Sequence, residues 1–389
     1  MLGLLLALPL PLRAAEPLTL KDGDRVILVG STSIERAQRY GYWETSWTSR
    51  FPDKNVTFRN LGWSGDSVFG DARAAFDPPE VGFRRLKERV QIEKPTVILV
   101  GYGLNESFAG EAGLPRFQQG LNTFLDVLAE TKARVILLSP MKQEDVGRPF
   151  PDPTENNRKI GLYRDALKQA AEKRQLGFID LTDLPGDTSK GPHWTDNGLH
   201  LTAYGYRKAG QALDQRLGLA PRHWKLTIDK DGKVAESEGM KIAKAEALHF
   251  EATDAELPTP PAPVADKGET PERVLKVTGL PAGKHELRID GQPIVIATAE
   301  EWAAGVPLTH GPEFDQVEKL RSTIIEKNRE YFYRWRPQNE TYLFGFRKHE
   351  QGQNAKEIAE FDPIVAKLEE DIAKLRVPVS HRYEIVPAK

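Results

Sequence analysis

Arg25-Val26-Ile27-Leu28-Val29-Gly30-Ser31-Thr32-Ser33-Ile34-Glu35-Arg36 opens the regular part of the chain. Four consecutive apolar residues closed by glycine read as a strand buried on both faces, the habit of parallel sheets. Three hydroxyls follow where a helix should begin. The same plan recurs in Thr96-Val97-Ile98-Leu99-Val100-Gly101 and in Arg134-Val135-Ile136-Leu137-Leu138-Ser139-Pro140, more weakly in Asn55–Asn60 and briefly in Phe178-Ile179-Asp180. Between these runs, Phe117, Leu121, Phe124, Leu125 and Leu128, and then Tyr163, Leu167 and Ala171, recur at helical spacing. Strand–helix alternation predicts an α/β fold, a parallel sheet with helices on both faces and a ligand site at the carboxyl ends of the strands.

At roughly 150 residues per domain, 389 residues suggest more than one unit. After Leu219 the pattern changes to short antiparallel strands: Leu226–Asp229, Ala247–Glu251, Val274–Val277, Glu286–Ile289 and Pro293–Ile296, interrupted by the proline-rich stretch Leu257–Pro263. From Phe314 helices return, marked by Val317, Leu320, Ile324 and Tyr331, then by Ile364, Leu368, Ile372 and Leu375. The expected division is residues 1–15 as a leader, 16–220 as the sheet domain, 221–299 as a small β-rich unit and 300–389 as a helical extension folded back on the first domain. Leu2–Leu12, 11 residues, is too short to span a bilayer and fits the apolar stretch of a secretory signal. Export to the periplasm or the extracellular space is therefore expected, although no Lys or Arg precedes the run; a buried N-terminal strand is the alternative.

Composition narrows the chemistry. Lys plus Arg number 54 and Asp plus Glu 56, without the basic excess of a nucleic-acid binder. Cysteine is absent, which excludes thiol nucleophiles, zinc–thiolate sites and disulfides. Neither a P-loop nor a dinucleotide fingerprint follows the first strand. No cofactor or metal is expected.

Polar clusters stand at the strand ends. Gly30-Ser31-Thr32-Ser33 holds either a nucleophile or a helix cap. Asn60-Leu61-Gly62-Trp63-Ser64-Gly65-Asp66-Ser67 offers a glycine N–H to an oxyanion, or is a tight turn. Gly101-Tyr102-Gly103-Leu104-Asn105-Glu106 offers a side-chain amide or an Asx turn. Trp194-Thr195-Asp196-Asn197-Gly198-Leu199-His200 brings an imidazole, with a carboxylate and an amide four and three residues before it.

In this order the four clusters resemble the SGNH (GDSL) hydrolase family over about residues 20 to 215. The resemblance implies a flavodoxin-like three-layer α/β/α sandwich and hydrolysis of a small-molecule or glycan ester, with carbohydrate O-deacetylation as one form. It assigns Thr32 as nucleophile, His200 as general base, and Thr32, Gly65 and Asn105 as the oxyanion hole. Two positions depart from the family pattern. Threonine stands where serine is usual, and its β-methyl restricts χ1; Ser33 is the fallback nucleophile. Asn197 replaces the aspartate that orients the histidine, leaving Asp196 or Asn197 for that role. A catalytically degenerate protein that binds a glycan or a protein partner is the alternative function.

Tyr331 to Phe346 carries seven aromatics in sixteen positions, interleaved with arginines. Such a segment either packs on the sheet domain or presents ligand-binding residues, for which Trp335, Arg347 and His349 are the candidates. The layout of Ile34-Glu35-Arg36, the β insert, Tyr333-Arg334-Trp335-Arg336-Pro337 and Phe346-Arg347-Lys348-His349-Glu350 also resembles a long SGNH-type subgroup of planctomycete-like bacteria. Threonine often stands at the nucleophile position in that subgroup.

Overall fold

The computed structural model describes residues 19–188, 191–264 and 270–388. The expected leader, residues 1–15, lies outside them. Strands β1 (Arg25–Gly30), β2 (Thr57–Asn60), β3 (Val97–Gly101), β4 (Arg134–Leu138) and β5 (Gly177–Ile179) form one sheet ordered β2-β1-β3-β4-β5. Every pair in it is parallel. Seven helices accompany the sheet: α1 (Thr32–Tyr40), α2 (Tyr42–Arg50), α3 (Pro79–Ile92), α4 (Leu104–Ser107), α5 (Gly110–Glu130), α6 (Thr154–Arg174) and α7 (Ala203–Arg216).

The pleat sends alternate strand residues to opposite faces. Val26, Leu28, Val97 and Leu99 meet Ile34, Trp43, Trp47, Tyr206 and Leu213 of α1, α2 and α7. Ile27, Val29, Ile98 and Val100 meet Leu86, Phe117, Phe124 and Tyr163 of α3, α5 and α6. Both faces are therefore covered, and the result is the three-layer α/β/α sandwich. Strand order reverses between β1 and β3, so their carboxyl ends flank the crevice in which such sheets hold ligands.

The second unit contains β6 (Trp224–Asp229), β7 (Val234–Glu238), β8 (Met240–Glu246), β9 (His249–Asp254), β10 (Arg273–Thr278), β11 (Lys284–Ile289), β12 (Gln292–Thr298), α8 (Ala299–Ala304) and β13 (Val306–Pro307). Its sheets, β13-β10-β6-β7 and β12-β11-β14-β9-β8, enclose Trp224, Leu226, Phe250, Leu275, Trp302 and Tyr383. Strand β14 (Ser380–Pro387) reaches this sheet from beyond the helices that follow β13. The last segment, expected to be helical, thus finishes as a strand, because Tyr383 and Ile385 alternate with more exposed neighbours and fill the sandwich core.

Helices α9 (Pro312–Trp335), α10 (Glu340–Leu343), α11 (Lys348–Gln351) and α12 (Phe361–Leu375) lie between β13 and β14. Helix α9 covers the free edge of β2. Fully buried Lys327 donates to the Phe58 carbonyl at 3.1 Å, to Glu44 at 2.7 Å and to Asn328 at 2.9 Å, using all three of its protons. Arg59 of β2 pairs with Glu369 of α12 at 2.5 Å. Tyr331 and Val365 extend the core beneath α3 and α5.

Candidate active site

Helix α1 starts directly at the end of β1, with Ser31 as its N-cap. Ser31 is buried, and its hydroxyl accepts a 2.7 Å hydrogen bond from Asn105 Nδ2. Thr32, half-buried at the first helical position, accepts a 3.1 Å bond from the backbone N–H of Gly65 on its Oγ1. Gly65 has φ +79°, a conformation that a side chain would strain. Behind it, a Cβ on Gly62 would lie 2.2 Å from the Glu35 nitrogen, so only glycine allows this turn to approach α1 so closely.

The turn is anchored from beneath. Asp66, wholly buried, accepts from Arg73 Nε at 2.7 Å and from the Tyr102 hydroxyl at 2.8 Å. Burial and the Asp66 charge hold the Tyr102 phenol well above its ordinary range, so it remains a donor. The second proton of Asn105 Nδ2 goes to the Asp66 carbonyl at 2.9 Å. Glu106 accepts from the amides of Val68 and Gly103, both at 2.9 Å, joining the second cluster to the third. Burial raises its pKa, and those amides oppose the rise.

His200 sits on a loop built around buried Glu144. That carboxylate accepts from His193 Nδ1 at 2.9 Å, Thr195 N at 2.8 Å and Thr195 Oγ1 at 2.6 Å. Burial works to raise its pKa, but the hydrogen bonds from Thr195, His193 and Thr188 outweigh it and hold the carboxyl below its ordinary value. Asn197 is the residue on the imidazole, its Nδ2 3.2 Å from His200 Nδ1. Asp196 instead turns its carboxylate to Arg36, at 3.5 Å.

The orientation of the Asn197 amide is determined by its surroundings. Its Oδ1 accepts from Leu199 N at 3.1 Å and His200 N at 2.8 Å, so the NH2 end must face the imidazole. A donor at Nδ1 requires a lone pair there, which puts the proton of neutral His200 on Nε2. In an aspartate-oriented triad the proton is on Nδ1 and Nε2 is the base. Among the described residues, no hydrogen bond joins Thr32 Oγ1 to His200.

Ser33 lies about 100° round the helix from Thr32. It lines a different cavity, with Gly101, Ser139, Thr195 and Leu199, and its carbonyl accepts from Tyr206 at 2.7 Å. Trp335 stands edge-on to Trp63, ring centres 5.8 Å apart, beside the Gly65 turn. Arg347 bonds Glu350 at 2.5 Å and Tyr342 at 2.6 Å, and His349 lies 3.6 Å from Glu350, all within their own segment. Among the described residues there is no group of three or more His, Asp or Glu side chains suited to a metal ion, and no helix is long and apolar enough to cross a membrane.

A hydroxyl at a helix N-terminus with a backbone N–H on its oxygen, and an amide one residue away, is an arrangement suited to acyl transfer through a side-chain hydroxyl. The model of the GDSL-like lipase/acylhydrolase family matches residues 27–208, so the sheet domain is of the SGNH/GDSL hydrolase type, that of carboxylic ester hydrolases. None of the curated proteins matches the sequence. Among solved structures, a gut microbial diltiazem-metabolizing enzyme is similar at 16% identity, covering 96% of this chain and 100% of its own, with a TM-score of 0.74. The acetylxylan esterase Axe2 from Geobacillus stearothermophilus is similar at 16% identity over 51% of this chain and 96% of its own, TM-score 0.40. A lipase/acylhydrolase from Enterococcus faecalis is similar at 22% identity over 51% and 99%, TM-score 0.36.

Proposed function

We propose that this protein is an exported esterase that removes short acyl groups, acetyl groups on carbohydrate foremost, with Thr32 as nucleophile. The observation that carries this reading is the Gly65 N–H seated on Thr32 Oγ1 while the Asn105 amide stands one residue away on Ser31. Thr32 Oγ1 adds to the ester carbonyl as its proton passes to His200 Nε2. Charge on the carbonyl oxygen is taken up by the N–H groups of Thr32 and Gly65 and by Asn105, which exchanges its Ser31 partner for the oxyanion. Collapse expels the alcohol, which takes the proton from His200; water, deprotonated by the same imidazole, then releases the acid and restores Thr32. Because Asn197 favours the proton on Nε2, the imidazole is a base only in its minor tautomer, and turnover is slow. Export rests on the apolar run Leu2–Leu12.

The test is hydrolysis of p-nitrophenyl acetate and acetylated xylo-oligosaccharides by wild type, Thr32→Ala, Ser33→Ala and His200→Ala. Loss in the first and third variants, with Ser33→Ala active, supports the assignment. Labelling of Ser33 rather than Thr32 by an organophosphonate would overturn it. The second reading, a non-catalytic glycan binder, is favoured by the missing Thr32–His200 hydrogen bond; it predicts no turnover with saturable glycan binding.

A further inference from the structure

From outside the hydrolase domain, Arg336 joins Trp335 at the Gly65 turn. Arg336, at the end of α9, donates from Nη1 to Glu35 Oε2 at 2.8 Å. Its guanidinium carbon lies over Trp63, 3.4 Å from the ring centre, while that of Arg73 stands 5.4 Å from the same ring. Glu35 is buried, 5% exposed, and lies three residues after Thr32 on α1. The Glu35 oxygen that receives Arg336 also accepts the backbone N–H of Ser64 at 2.7 Å. Four successive amides of the turn are thereby aimed: Trp63 N to Gly30 O at 3.0 Å, Ser64 N to Glu35, Gly65 N to Thr32, and Asp66 N to Trp63 O at 3.0 Å.

We infer that Arg336 is a positioning residue for the oxyanion hole: by neutralising Glu35 and clamping Trp63, the C-terminal extension fixes the peptide that carries the Gly65 N–H. The inference rests on the reading of Thr32 and Gly65 given above. Without Arg336, the buried carboxylate keeps the neutral Ser64 N–H and, as its cation among the described residues, Arg39, 3.9 Å away on an exposed side chain. A carboxylate so placed draws in water, releases Ser64 and lets the adjacent N–H wander. Misplacement by about 1 Å of a group that meets a transition state costs on the order of 10²-fold in rate, whereas ground-state binding of a small ester changes little. The two sequence features Ile34-Glu35-Arg36 and Tyr333-Arg334-Trp335-Arg336-Pro337, some three hundred residues apart, are the two halves of one clamp.

The experiment compares wild type, Arg336→Ala, Arg336→Lys and a control on the same helix, the exposed Arg329→Ala, whose partners Glu326 and half-buried Glu330 lie on that helix too. Amide exchange over residues 61–68 and esterase kinetics are measured together. The inference expects at least ~10-fold faster exchange at Ser64 and Gly65 in Arg336→Ala, unchanged exchange over Val97–Val100, and a kcat about 10- to 100-fold lower with KM within about threefold. Arg336→Lys, which keeps the charge but not the planar stacking, recovers part of both. Wild-type exchange in Arg336→Ala, or an unchanged kcat, overturns the inference. Absence of turnover in wild type refutes the esterase reading instead, and the exchange measurement still decides whether Arg336 holds the turn. Should Arg336→Ala fail to fold, Glu35→Gln, which keeps an acceptor for Ser64 but removes the charge pair, supplies the same comparison.

Discussion

If Thr32 and His200 act as proposed, replacing Asn197 by aspartate should raise the rate of ester hydrolysis. In the wild type, making His200 Nε2 a base means moving its proton to Nδ1, against the Asn197 NH2 group 3.2 Å away. Rotating the amide to accept that proton would desert Leu199 N and His200 N, now bonded at 3.1 and 2.8 Å. Either route forfeits one or two hydrogen bonds in a half-buried loop, about 2–4 kcal/mol in total. At about 1.4 kcal/mol per decade, the competent tautomer is disfavoured roughly 30- to 700-fold. A carboxylate at this position keeps both backbone contacts with one oxygen and receives Nδ1–H with the other. Asn197→Asp is therefore expected to raise kcat/KM on p-nitrophenyl acetate by about that factor, within the ~10⁴ that the opposite change costs a serine protease. Initial rates from pH 5 to 9 are the assay, with ¹⁵N NMR of the imidazole to read the tautomer directly. A folded Asn197→Asp with unchanged or reduced kcat/KM, or a wild-type spectrum with the proton on Nδ1, would refute the reasoning.

Other perturbations probe the frame around the site. Thr32→Ser removes only the β-methyl and should keep or raise the rate, whereas Thr32→Ala should lower it by at least ~10³-fold in the same assay. Gly65→Ala meets no neighbour within 4 Å but must adopt φ +79°, so a stability loss of about 1–2 kcal/mol in urea titrations should accompany a fall in kcat. Arg73→Ala strands the buried carboxylate of Asp66 and should cost about 3–5 kcal/mol in the same titration. Glu144 has a folded pKa below the ordinary 4.5, so its stabilisation is complete above that pH and disappears as pH falls through the lower folded value. Glu144→Gln should thus be less stable than wild type near pH 7, with the gap narrowing below pH 4.5 in thermal melts.

The first sheet was legible because each of its main strands is an apolar run closed by glycine, or by Ser139-Pro140 after β4, a signal local to the strand itself. Strands β7 and β8 were not, since Val-Ala-Glu-Ser-Glu and Met-Lys-Ile-Ala-Lys-Ala-Glu put charged residues on solvent-facing surfaces and carry no long apolar run. For β14 the alternation was there, but it followed two helices and read as their continuation. At the site, the four polar clusters stood out because each immediately follows a strand or precedes a helix. Arg73 and Glu144 did not, and Asp66 and Glu106, though inside two of those clusters, carried no role of their own, because what makes all four matter is a partner contributed by another segment. The same holds for Asn197: the residue was visible, but the direction of its amide depends on two backbone N–H groups that only the folded loop presents.

Strand β14 also bears on how the protein is made. It lies between β11 and β9, inside its sheet, yet in sequence it comes after both of them and after the whole helical extension. During synthesis β8, β9, β11 and β12 leave the ribosome well before it, so they wait as two hairpins with facing edges unpaired, a surface open to other strands. Closing that slot requires the whole helical extension to emerge and turn back first. A nascent chain released before Ser380 would hold a complete hydrolase domain beside a sheet split down the middle.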